Sequence, residues 1–245
     1  MTTLDDRTIT TDLADIGDFT ASLRQEHDDL FEAFWAHPFL RELRAGTLSR
    51  EATLHYVGQD HHYLSAYLRC YGLGMAKSPD RPWMRHFVDS SLFLLEDESH
   101  PHHVMCESFG VQYEAVQHDR LAPSAQAYID HMMECGHDSL GVLMFALLPC
   151  PWTYIWAGNR YLAQSDNPAD NKFEGWWQFY GSPDCNDLLA NLLQRCEALA
   201  QEAGPAERAR MARAFELSCH HEIRFWQLAY TRETWGDLPR SILAG

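Results

Sequence analysis

Gly141–Gly158, GVLMFALLPCPWTYIWAG, is the stretch whose reading decides the fold. It carries no charge and is just long enough to raise the question of a membrane span. Pro149, Pro151 and Thr153 lie inside it, and nothing else in the chain resembles it. It reads better as a central helix, about Ser139 to Gln164, bent at its two prolines and buried by the rest of the molecule.

The surrounding sequence supplies the material to bury it. Helical periodicity dominates, no segment alternates convincingly with period two, and no internal repeat is visible. Helices are expected over about Phe19–Trp35, Phe39–Arg44, Ser49–Lys77, Pro82–Phe109, Ser124–Gly136, Phe173–Tyr180, Ser182–Ala203 and Gly204–Glu233. Ser182-Pro183 and Gly204-Pro205 are start signals, with proline at the first helical position. The loops between are short. The expectation is an all-α, single-domain helical bundle over residues 17–245, with residues 1–16 as a loose polar extension.

Composition narrows the class. The chain has 245 residues, with 19 Lys and Arg against 35 Asp and Glu, for a net charge of −16. Such a chain repels phosphate backbones and anionic lipid, which argues against nucleic acid and membrane as partners. The 7 Cys are scattered, odd in number and never spaced C-x-x-C. That pattern fits a reducing cytosol and a soluble, cytoplasmic protein better than a disulfide framework or zinc knuckle. The N-terminus has neither the basic region nor the apolar run of a signal peptide.

Three segments could carry chemistry. In YVGQDHHYLSAY, Tyr56, Asp60, Tyr63 and Tyr67 share one helical stripe, with a carboxylate among aromatic rings. A carboxylate on a buried face needs a partner or a ligand. An interhelical Asp–Tyr hydrogen bond and a ligand contact explain it equally well. In LLPCPWTY, Pro149 and Pro151 force the helix open around Cys150, and Tyr154 follows one turn later on the same face. An inert buried cysteine is the ordinary alternative. In FELSCHHEIRFW, Glu222 shares a face with Phe215 and Ser218, beside Phe225 and Trp226. Apolar company raises a carboxyl pKa and suits a proton donor. A solvent-facing Glu222 paired with Arg224 or Arg213 competes with that reading.

His61-His62, the stretch Glu96–His103 and His220-His221-Glu222 are the possible metal ligands. Adjacent histidines point to different helix faces, and the Ser139–Gln164 helix has no Asp or Glu for a di-metal centre. No metal and no cofactor is expected.

With these segments in hand, the sequence resembles the TenA (thiaminase II) family, over about Phe19 to Trp235. HPFLRELRAGTL and YVGQDHHYL resemble its early segment, ALLPCPWTY its cysteine helix, FEGWWQFYG the segment with a pocket tyrosine, and HHEIRFWQLAY its last helix. The resemblance implies a heme-oxygenase-like fold. It implies a hydrolase of thiamin salvage that cleaves the exocyclic methylene C–N bond of thiamin or of aminomethyl-pyrimidine. By the same resemblance, Cys150 is the nucleophile, Glu222 the catalytic acid and Asp60 the aspartate holding the aminopyrimidine. Tyr63, Tyr128, Tyr154, Tyr180 and Phe225 fall on pocket positions, and the family tends to form homotetramers. Two other readings stay open: a metal- and oxygen-dependent oxidase of the same helical superfamily, and a pyrimidine-binding regulator without turnover.

Overall fold

The computed structural model describes residues 17–96 and 99–236, and these hold helices and no strand. The expected N-terminal extension, residues 1–16, lies outside the described residues.

The uncharged stretch forms two consecutive pieces, α8 (Leu140–Leu147) and α9 (Pro149–Leu162), separated at Leu148. Every residue of α8 is buried, and 83% of the most apolar window of Leu140–Leu162 lies inside the fold. The stretch is therefore a core helix here. Ser139 starts it, its hydroxyl accepting from the Val142 amide at 3.2 Å.

Around it stand α4 (Arg50–Lys77) and α12 (Pro205–Thr231), the two longest helices. Ser49 caps α4 through the Ala52 amide. α12 packs on α8, on α4 and on α7 (Pro123–Cys135). α11 (Pro183–Glu202), capped by Ser182, closes one side with α5 (Arg81–Glu96) nearby, and α6 (Ser99–Glu107) lies against α4. α10 (Glu174–Tyr180) runs along α9 at very close range. A Cβ at Gly158 would meet the Gly181 nitrogen at 2.6 Å, so only glycine lets these helices approach. That approach seats Tyr180 beside Tyr154, ring centres 5.1 Å apart.

Three expectations are corrected. The helix expected over Phe19–Trp35 is two, α1 (Asp18–Glu26) and α2 (Asp28–Ala36), because His27 leaves helical geometry. Its ring takes the Leu23 carbonyl at 2.8 Å, and Arg24 bridges the break to Asp28 at 2.8 Å. The described residues of the expected Pro82–Phe109 helix form two elements, α5 and α6. Ser124 does not start α7: Ala122 precedes it and Pro123 is its first residue. Instead the Ser124 amide and hydroxyl both donate to the Glu233 carboxylate, at 2.9 and 3.1 Å. A carboxylate from beyond α12 thereby caps α7. The short α3 (Pro38–Arg44) is started by His37, whose ring accepts from the Phe39 amide.

Candidate active site

The site begins with a missing amide hydrogen. Pro151 cannot donate to the carbonyl of Leu147, four residues back. The Tyr67 hydroxyl donates to it instead, at 2.9 Å. One residue earlier, the Ala146 carbonyl accepts from the Ser218 hydroxyl at 2.7 Å. Thr153 closes the next turn, donating to Pro149 O at 2.9 Å. Side chains of α4 and α12 thus hold the break open at Cys150.

Cys150 is partly buried and lines a cavity together with Asp60, Tyr67, Tyr154 and Tyr180. The cavity encloses roughly 570 Å³ not filled by atoms, its mouth included. Phe93 and Leu94 of α5 and Cys185 and Leu188 of α11 form the outer wall. Sequence reading missed these four, since apolar residues on amphipathic helices carry no mark of a pocket.

Asp60 is 5% exposed, and in place of the expected interhelical Asp–Tyr bond it has a tyrosine from its own helix and a histidine from α6. It has structural partners, accepting from the Tyr56 hydroxyl at 3.2 Å and lying 2.7 Å from His102 Nε2. It also faces the cavity. His102, 1% exposed, was legible only as a member of a His-rich stretch and a metal candidate. The structure gives it to Asp60 and, through Nδ1, to the Tyr113 hydroxyl at 3.1 Å. His61 Nδ1 meets the same hydroxyl, and His62 Nε2 meets the Asp119 carbonyl at 2.7 Å. Among the described residues, no three His, Cys, Asp or Glu side chains gather as a metal site would require.

Glu222 is 1% exposed, so the solvent-facing alternative fails. Arg213 pairs with Glu216 instead. Glu222 accepts from the Tyr128 hydroxyl at 2.6 Å. Burial pushes its pKa up to about 8, the Asp60 charge adds to the rise, and the Tyr128 hydrogen bond opposes it. A carboxyl group that keeps its proton at neutrality can give it to a ring nitrogen.

The aromatic candidates join these groups. Tyr63 packs against Tyr128 (4.9 Å), Phe225 (5.5 Å) and Tyr67 (5.8 Å). With the Tyr56 hydrogen given to Asp60, the Tyr154 hydroxyl, 3.4 Å away, donates to the Tyr56 oxygen. Burial raises the hydroxyl pKa of Tyr63, Tyr128 and Tyr154, and each is raised further by both Cys150 and Glu222. Cys150 and Glu222 thus act on the same rings, but Cys150, Asp60, Tyr154 and Tyr180 line the cavity whereas Glu222, Tyr63, Tyr128 and Phe225 do not. The buried Tyr63 hydroxyl has no hydrogen-bond partner of good geometry. An orphaned polar atom in this setting is a place for a ligand atom.

Comparison with known proteins bears on the family and the fold. The sequence model of the TENA/THI-4/PQQC family matches residues 22–232. The aminopyrimidine aminohydrolase of Halalkalibacterium halodurans is 28% identical over 219 residues, covering 89% of this chain and 97% of that one. A Silicibacter structure described as a TenA family transcription regulator superimposes with a TM-score of 0.76 at 28% identity, covering 88% of this chain and 97% of its own. A Shewanella denitrificans domain of unknown function with a heme-oxygenase-like fold matches with a TM-score of 0.67 at 13% identity, covering 88% and 93%, and shares the fold.

Proposed function

The chain belongs to the TENA/THI-4/PQQC family, and from that premise we propose that it is an aminopyrimidine aminohydrolase of thiamin salvage. Its substrate is 4-amino-5-aminomethyl-2-methylpyrimidine or thiamin, and its product is hydroxymethyl-pyrimidine. The observation that carries this reading is that Cys150 and Asp60 line one aromatic-walled cavity.

Each side chain has a task. Asp60 binds the amino group and neighbouring ring nitrogen. Tyr154, Tyr180, Tyr63 and Phe225 hold the flat ring, with Tyr128 setting Glu222. Glu222 gives its proton to the ring and its carboxylate takes the thiol proton. Cys150 Sγ then bonds to the electrophilic ring. The substituent leaves the exocyclic methylene with its electron pair, collecting the proton held by Glu222. Water adds to the methylene carbon and gives up one proton, the carbon–sulfur bond breaks with that proton going to sulfur, and the ring proton returns to Glu222. The raised pKa of Glu222 supports its role as donor.

The test is mass spectrometry of products from aminomethyl-pyrimidine and from thiamin, with Cys150→Ser beside the wild type. Hydroxymethyl-pyrimidine from the wild type alone, with pyrimidine still bound by the variant, is expected. Full turnover by the variant removes Cys150 from the chemistry. Tight binding without turnover by the wild type would make the protein a regulator. The proposal extends to a cytoplasmic homotetramer, tested by light scattering and cell fractionation.

A further inference from the structure

Three contacts link the cavity to the surface. Asp60 Oδ2 lies 2.7 Å from His102 Nε2. His102 Nδ1 lies 3.1 Å from the Tyr113 hydroxyl, which lies 2.8 Å from His61 Nδ1. His102 and Tyr113 are buried, while His61 is partly exposed.

The direction of this chain follows from proton counting. A hydroxyl carries one hydrogen, so Tyr113 can donate to only one of the two imidazole nitrogens it meets. With His102 neutral and its Nε2–H donated to Asp60, Nδ1 can only accept. Tyr113 must donate there, and its oxygen must accept from His61 Nδ1–H. Every donor then points toward Asp60. Burial first, and then His62, hold the His61 pKa below its ordinary value, which favours the neutral ring this order needs.

We propose that His61, Tyr113 and His102 form a proton relay between solvent and Asp60, with His61 as its outer terminus. The proposal rests on Asp60 being the acid that holds the aminopyrimidine. A proton from water arrives at His61 Nε2 and the Nδ1 proton passes to the Tyr113 oxygen. The Tyr113 hydrogen passes to His102 Nδ1, and the His102 Nε2 proton passes to Asp60. One proton enters, one is delivered, and each ring stays neutral with its tautomer exchanged. The same steps reversed carry a proton out. Glu222 protonates the ring in the proposed mechanism, and the relay gives Asp60, which holds the amino group and ring nitrogen, its own proton exchange with solvent. The groups facing the relay are His62, His118 and Asp60 at His61, and Asp60, Cys106, Glu114, Gln117 and the His103 ring at Tyr113.

Tyr113→Phe cuts the relay and keeps the ring packing, while His61→Gln removes its outer end at a partly exposed position. For turnover of aminomethyl-pyrimidine, each is expected to lower kcat about 100-fold, the lower end for a lost proton-transfer group, with KM within about twofold. Added imidazole is expected to restore kcat in His61→Gln and leave the wild type unchanged. Wild-type kcat in both variants overturns the relay, and so does a kcat loss that imidazole does not repair in His61→Gln. Circular-dichroism melting checks that Tyr113→Phe is folded, and His61→Gln decides if it is not. Asp60→Asn separates the two levels. An active Asp60→Asn overturns the underlying reading, whereas an inactive one beside fully active relay variants overturns the relay alone.

Discussion

Tyr67 gives its hydroxyl hydrogen to the Leu147 carbonyl at 2.9 Å, and this contact ties the aromatic stripe of α4 to the proline break beside Cys150. Tyr67→Phe leaves that buried carbonyl without a partner. A loss of about 1–3 kcal/mol in unfolding free energy is expected from urea titration. Activity should fall with it, because the Cys150 turn loses its brace. Unchanged stability would mean the carbonyl finds another donor.

Glu222 makes stability depend on pH. Its folded pKa of about 8 lies above the ordinary carboxyl value of 4.5, so the folded state binds the extra proton between them. Its contribution is fully present below about pH 4.5 and is lost as pH rises to about 8. Glu222→Gln should flatten that decline, making the variant more stable than the wild type at pH 8–9 by up to several kcal/mol. Parallel melts at pH 5, 7 and 9 decide this.

Activity should show the same group. The donor form of Glu222 disappears above about pH 8, so kcat should fall on the alkaline side there. Tyr128→Phe removes the hydrogen bond that holds the Glu222 pKa down, and the alkaline limb should move to higher pH. A limb that stays in place or moves down would separate Tyr128 from Glu222 titration.

Tyr63→Phe tests the orphaned hydroxyl. Its neighbour is the Tyr128 hydroxyl, at poor hydrogen-bond geometry, so removing it should change stability by no more than about 1 kcal/mol. If that hydroxyl awaits substrate, KM should rise several-fold with a smaller change in kcat. An unaltered KM would remove Tyr63 from ligand binding.

The fold was legible where periodicity was strong and starts were marked. The Ser49, Ser139 and Ser182 caps fall where the residue types require. Their helices begin within a residue of expectation. The break at His27 was not legible, because it depends on a histidine ring competing for a backbone carbonyl. Cys150, Asp60 and Tyr154 could be singled out by odd residues on apolar faces. His102 could not, since its meaning comes from a contact across 42 positions of chain. Tyr113 sits in a short turn with no periodic face to judge it by.

The pairing of α8 with α12 has a consequence for biosynthesis. α8 has no exposed residue, and α12 is its most extensive partner, beginning 58 positions after α8 ends. At about 5–20 residues per second, a nascent chain carries that greasy segment uncovered for several seconds. Ribosome-associated chaperones should therefore find their main binding site on it until the last helix emerges.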